Sequence, residues 1–287
     1  MMQQHLCQCK VLYPVTLMAP FKLLSRLGSV VSGNVGSLRY YVGDAEQRMD
    51  DSADEGDTVV LVQGFMQTRR VMETLEQRLR SDGFRVVSFH LGGLLGNFNT
   101  RGIGSLAELI DQKLRRLRDR EDIGTVHVIG HSKGGLIARY LVQCGGGAEY
   151  ISTVITLGTP HHGTPVAALG MGVGLFLVSR SIWQLVPSSP LIRELNGMPF
   201  PEGVRLVSVY STADIVCPYQ RSMLTVEDGS DVRNVLIRGL GHMDLVEDPH
   251  VYGLVLRELV HKPTDPAGGP MLSFDHEKTG NSGSGSY

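Results

Sequence analysis

The sequence predicts an α/β fold, with a mostly parallel central sheet flanked by helices and an insertion forming a cap or lid. Three observations carry that prediction. Short continuous apolar runs of strand length alternate with amphipathic stretches at helical spacing. Glycines, 35 in 287 residues, cluster at the boundaries between them. One such boundary, Gly130-His131-Ser132-Lys133-Gly134-Gly135, joins a strand-like run to a helix-like run with a serine at its apex.

The elements follow in chain order. Residues 1–57 read as a leader and an acidic loop, partly disordered or packed on the domain; within them 44–57 are acidic and short of apolar residues. Thr58 to Val62 is a continuous apolar run, as expected of a strand buried on both faces. Val71, Met72, Leu75 and Leu79 recur at helical spacing. Phe84 to Phe89 is a second strand. Leu106, Leu109, Ile110, Leu114 and Leu117 mark one face of a long helix, with Ser105 as N-cap and Glu108 three residues on. Val126 to Ile129 is the third strand, and the helix after it stops at Gly145-Gly146-Gly147. Ile151–Leu157, Val204–Tyr210 and Val232–Ile237 are further strands, and His250 to Val260 is a closing helix. The α/β domain expected from this rhythm spans 58–261, and the Pro-, Gly- and Ser-rich residues 262–287 read as a disordered tail.

Between the fourth and fifth strands, roughly forty residues break the βα rhythm. They hold Gly and large aliphatics, then Trp183, Leu185 and Val186. Residues 161–200 are expected to form a cap over the site, with extra core helices at the sheet edge as the alternative.

Composition excludes several classes. A net charge of -2 offers no broad attraction for nucleic acid. The four cysteines, Cys7, Cys9, Cys144 and Cys217, form no disulfide framework. His5, Cys7 and Cys9 lack a fourth ligand at a recognisable spacing, so no metal is expected. No apolar run reaches the ~18 residues needed to span a bilayer. The N-terminal apolar segment is interrupted by Pro14 and Pro20 and lacks a clean cleavage site. The expected location is cytoplasmic, with peripheral membrane contact or secretion as alternatives.

The turn at Ser132 fits G-x-S-x-G between strand and helix, the nucleophile elbow. It presents a hydroxyl at a helix N-terminus, where backbone N–H groups and the helix dipole favour negative charge. A serine hydroxyl needs a base, and the base an orienting carboxylate. In this architecture both follow the serine, acid first, each just past a strand end. Asp214 follows the strand Val204–Tyr210, and His242 follows Val232–Ile237. Asp244, Glu227 and Asp228 are rival acids that read as local loop residues. His161 and His162 stand before the expected acid position and read as braces of the pocket rim. The oxyanion of a tetrahedral intermediate needs fixed donors; the N–H of Lys133 and that of Phe65, in the loop Gln63-Gly64-Phe65-Met66-Gln67, occupy the required places. Phe176, Trp183 and Leu185 are candidates to line an acyl pocket, with core packing as the alternative for each.

Together, Val62-Gln63-Gly64-Phe65, Gly130–Gly135, Thr156-Leu157-Gly158-Thr159-Pro160-His161-His162-Gly163, Asp214-Ile215-Val216 and Gly241-His242 resemble the lipase and esterase branch of the α/β-hydrolase family, above all bacterial triacylglycerol lipases. The resemblance implies serine hydrolysis of carboxylic esters of lipid or acyl type through an acyl-enzyme, without a cofactor. Acyl transfer, thioester cleavage and amide cleavage use the same residues, and a non-catalytic binding protein on the same fold is the alternative of another class. Two features depart from the family: Gln63 stands where such lipases carry histidine, and no convincing signal peptide precedes the domain.

Overall fold

The computed structural model describes residues 56–94, 98–167, 179, 181–260 and 272–275, all within the unit that spans 45–287. The expected leader, Phe176 and most of the expected tail lie outside the described residues.

The first strand, β1 (Thr58–Val62), is fully buried, as its unbroken β-branched and leucine composition dictates. A 3₁₀ turn, Arg69–Met72, leads into α1 (Glu73–Ser81), which buries Leu75 and Leu79. After β2 (Arg85–Ser88) come two short strands, β3 (Gly93–Leu94) and β4 (Phe98–Asn99), paired antiparallel. The long amphipathic helix is α2 (Ile103–Arg118). Then follow β5 (Val126–His131), α3 (Lys133–Gln143), β6 (Ile151–Leu157), α4 (Ser181–Gln184), α5 (Pro190–Gly197) and β7 (Arg205–Ser211). The chain closes with α6 (Tyr219–Ser222), β8 (Val232–Arg238), α7 (Asp244–Glu247), α8 (Pro249–Val260) and β9 (Leu272–Asp275).

The main sheet has seven strands in the order β2-β1-β5-β6-β7-β8-β9, and every neighbouring pair is parallel. The chain steps outward from β1 to β2, then reverses and lays β5 on the other side of β1. That reversal opens a crevice at the carboxyl ends of β1 and β5, the place where ligands bind in open α/β sheets. The loop after β1 and the serine after β5 both sit there.

Side-chain alternation splits the sheet's apolar residues between two faces. Val60, Val62, Val128 and Val154 pack with α2 and α3 in one continuous core. Ile182, Leu185, Ile192 and Leu195 from the insertion join the same cluster, so the described part of 161–200 is welded to the core rather than standing off it. The opposite face meets α8, whose Val251, Leu254, Val255 and Leu259 are buried.

Two expectations are corrected. Ser105 is not an N-cap: α2 begins at Ile103 with Gly102 as its cap. The Ile103 amide is satisfied from a distance, by Gln184 Oε1 at 2.8 Å. The expected disordered tail contains β9, which extends the sheet by pairing with β8. The unpaired N–H and C=O groups of an edge strand offer such a segment its hydrogen bonds whatever the flanking composition. Among the described residues Cys144 and Cys217 form no disulfide, no cluster could hold a metal ion, and no helix is long and apolar enough to cross a membrane.

Candidate active site

Ser132 lies between β5 and α3 with φ 53° and ψ −122°. A non-glycine residue holds that left-handed conformation only when its surroundings over-determine it. Here the Ser132 amide donates to Leu157 O at 2.9 Å, and its carbonyl accepts from Thr159 Oγ1 at 2.9 Å and Gly135 N at 3.1 Å. Strand and helix approach so closely that a Cβ at Gly130, Gly134 or Gly135 would overlap Gly135 N, Val62 O or Thr159 Oγ1 respectively. The glycines of the motif are therefore steric necessities.

His242 Nδ1 lies 2.7 Å from Asp214 Oδ2. The other carboxylate oxygen, Oδ1, accepts from Val216 N at 2.9 Å and Cys217 N at 2.7 Å, so the carboxylate is held at both ends. The Asp214 side chain has no exposed surface and that of His242 is 9% exposed. Gly158, with φ +56°, forms the floor beneath them: a Cβ there would lie 3.0 Å from Asp214 Oδ2 and 3.1 Å from His242 Nδ1. Because Ser132 N bonds Leu157 O, the serine is anchored one residue from that floor. Cys217 closes the group. Burial pushes its thiol well up, the Asp214 charge adds to this, and a hydrogen bond with the Ser132 side chain opposes it.

The loop after β1 is tightly organised. Gly64 N donates to Gln67 Oε1 at 2.7 Å, Met66 N to Asn99 O at 3.2 Å, and Gln67 N to Gly64 O at 3.3 Å. Among the described residues, the Phe65 N–H has no acceptor. Lys133 opens α3, so its N–H has no intrahelical carbonyl to bond either. Gly64 abuts the serine; a Cβ there would lie 2.9 Å from Ser132 Cβ. The structure thus brings Ser132, Asp214, His242, Phe65 and Lys133 to one end of the sheet.

The other candidates separate. Leu185 is buried in the main core, while Trp183 on α4 is 48% exposed. His161 is fully buried, with Nε2 3.0 Å from Thr156 Oγ1 and Nδ1 3.4 Å from Arg139 Nη1. His162 bridges Met223 O at 2.9 Å and Asn196 Nδ2 at 3.2 Å. Both histidines act as braces. Asp244 Oδ2 accepts from Gly241 N at 2.7 Å, a local turn contact.

Several contributors escaped the sequence reading. Asn99 donates from Nδ2 to Gln63 O at 2.7 Å and from its amide to Gln67 O at 3.2 Å. His131 stands behind His242, ring centroids 4.6 Å apart, with Nδ1 2.9 Å from Gln67 Oε1 and Nε2 3.1 Å from His242 O. Burial first, then the neighbouring His242 charge, hold His131 well below the usual imidazole range, against a backbone hydrogen bond that raises it. Gln67 and His131 lie in motifs visible in the sequence. Asn99, in a two-residue strand, carries no local signal.

Residues 58–169 match the family model for palmitoyl protein thioesterase, and residues 122–252 that for class 2 lipases. A triacylglycerol lipase of Pseudarthrobacter phenanthrenivorans is 28% identical over 115 residues, covering 38% of this chain and 34% of that protein. A triacylglycerol lipase of Burkholderia plantarii matches at the same identity and covers 31% of its length, so the likeness spans about a third of these relatives. Among solved structures, mature Bacillus licheniformis lipase BlEst2 superposes with a TM-score of 0.57 at 14% identity, over 76% of this chain and 96% of that one. Aspergillus fumigatus lipase B does so with 0.58 at 17%, over 77% and 59%. The superpositions speak to the fold, which is that of the α/β-hydrolases, and over these partial stretches the sequence is similar to bacterial lipases and to palmitoyl protein thioesterases.

Proposed function

We propose that this protein cleaves carboxylic esters of lipid or acyl type with Ser132 as nucleophile, His242 as general base and acid, and Asp214 as the group that orients the imidazole. The observation that carries the reading is the 2.7 Å contact between His242 Nδ1 and Asp214 Oδ2 at the same sheet end as the strained Ser132. With Nδ1–H committed to the carboxylate, Nε2 is the ring nitrogen left to accept the serine proton. Ser132 Oγ then adds to the ester carbonyl. The resulting oxyanion takes the N–H groups of Phe65 and Lys133, which lie in the loop after β1 and at the start of α3 beside Ser132. Collapse expels the alcohol, to which His242 returns the proton. Water, deprotonated by His242, releases the acid from the acyl-enzyme. A peripheral contact with a lipid interface belongs to this same reading.

Replacing Ser132 by alanine is expected to abolish turnover of a p-nitrophenyl ester by correctly folded protein; full activity would sink the assignment. Asp214→Asn should lower kcat by about 10⁴-fold, because the asparagine supports the wrong tautomer.

A second reading has its own support. The match to palmitoyl protein thioesterase covers both the Gln63–Gln67 loop and the elbow, which favours thioester substrates for the same residues. Parallel assays on an acyl thioester and the matching oxygen ester separate the two by their kcat/KM ratio.

A further inference from the structure

Lys133 supplies a backbone donor above, but its side chain has a separate role. It is fully buried, and among the described residues its Nζ makes no ion pair with a carboxylate. Burial alone depresses its pKa well below the usual lysine value. An apolar side chain of the same length would avoid that desolvation, so the residue's contribution has to lie in what its ammonium holds.

The ammonium holds neutral oxygens from two segments, the stretch 99–101 and the insertion. Nζ donates to Asn99 Oδ1 at 2.8 Å, Arg101 O at 2.5 Å and Ser181 Oγ at 3.1 Å, and lies 3.4 Å from Asn99 O. It also stands 5.7 Å from the centre of the Phe65 ring. Asn99 is the residue that braces the loop around Phe65. Its Nδ2 holds Gln63 O at 2.7 Å, its carbonyl takes Met66 N at 3.2 Å, and its amide reaches Gln67 O at 3.2 Å. An asparagine side chain has one accepting and one donating end. Fixing Oδ1 on Lys133 therefore fixes Nδ2 on Gln63. On the other side, Ser181 belongs to the insertion and shares a hydrogen bond of 2.9 Å with Ser179. Ser179 Oγ donates to Thr100 O, and Gln184 caps Ile103.

We propose that the Lys133 side chain is a positioning residue that locks the Phe65 N–H through Asn99 and couples that lock to the seating of the insertion through Ser181. The inference rests on the ester-cleaving role of Ser132. Loosening the lock misplaces a donor that matters in the transition state more than in substrate binding, so kcat falls while KM holds.

The test compares Lys133→Met, Asn99→Ala, their double variant, Ser181→Ala and Ser132→Ala on a water-soluble p-nitrophenyl ester. Phenylboronic acid serves as a tetrahedral adduct former. Lys133→Met keeps the apolar stem and the backbone N–H and removes every side-chain donor. Its kcat should fall by about 10- to 100-fold, with KM changed by less than about 3-fold. Boronate affinity should weaken in step with kcat, and the thermal midpoint should hold or rise. Asn99→Ala should reproduce the loss, and the double variant should be no worse than the poorer single, since both break one link. Ser181→Ala should give a smaller loss in the same direction.

An unchanged kcat in Lys133→Met overturns the inference. So do losses that multiply in the double variant, or a kcat loss that leaves boronate affinity untouched, which is the mark of a merely structural role. Should Lys133→Met fail to fold, Asn99→Ala and Ser181→Ala decide, and unchanged kcat in both overturns it. Ser132→Ala separates the two layers. Full turnover by that variant removes the parent reading and this inference with it, whereas an inactive Ser132→Ala beside a fully active Lys133→Met removes this inference alone.

Discussion

His131 shows how much of the site is decided by single atoms. Both of its ring nitrogens face acceptors, Gln67 Oε1 at 2.9 Å and His242 O at 3.1 Å. Gln67 cannot turn its amide round to help, because Gly64 N–H already donates to Oε1. Burial keeps the imidazole neutral, so it donates to one of the two and leaves the other contact without a proton. The pair Gly64 and Gln67 is correspondingly intolerant. A Cβ on residue 64 would sit 2.8 Å from Gln67 Oε1 and 2.9 Å from Ser132 Cβ. Gly64→Ala is expected to fold, as judged by circular dichroism, while kcat drops by about 10²-fold through displacement of the donor loop. Steady-state rates near those of the parent would show that the loop absorbs the added methyl. The identity of residue 63 matters less at this scale. The contact that braces the loop there is made by its main-chain carbonyl, which accepts from Asn99 Nδ2.

Among the elements, the elbow is the one the sequence spelled out fully. β5, the serine and α3 are contiguous, and the glycines announce the close approach. Gly134 is the tightest point, since a Cβ would overlap the carbonyl of Val62 in β1. Backbone cannot move aside as a side-chain tip can. Gly134→Ala should therefore cost at least about 3 kcal/mol, at the upper end of overpacking penalties, visible as a lowered denaturant midpoint. A midpoint within experimental error of the parent would show that β1 and α3 can separate. Other elements were harder to read. α2 starts ahead of Ser105, at Ile103, because its first amide is satisfied by Gln184, 81 residues away. β9 was hidden in a low-complexity stretch because its stability comes from the exposed ladder of β8 rather than from its own composition.

At the scale of the whole molecule, buried histidines tie stability to pH. Burial, as the leading cause, lowers the pKa of His127, His131 and His161. Between those lowered values and the ordinary imidazole value near ~6.5, the unfolded chain binds protons that the native state does not. Stability therefore rises with pH across that window and is lost as the pH falls below ~6.5. The thermal midpoint should be clearly lower at pH 5.0 than at pH 7.5. A flat profile would mean that these rings gain partners in acid which the folded state does not show.

What the sequence determined by itself was the order of the elements and of the candidate residues at their ends. Apolar runs and glycine clusters set the order of strands and helices, and that order put a serine, then an acid, then a histidine at successive strand ends. These are local patterns, legible because backbone geometry and side-chain alternation leave a periodic trace. What only the tertiary structure decided was how the parts are held. His131 meets Gln67 across 64 positions, Lys133 meets Asn99 across 34, and Lys133 meets Ser181 across 48. The insertion's Leu185 turned inward to the core while Trp183 stayed exposed, although both looked alike in the sequence. Hydrogen bonds between residues so far apart have no period and no composition. Their partners exist only once the β1–β5 crevice has formed and a buried polar group must find the nearest available acceptor.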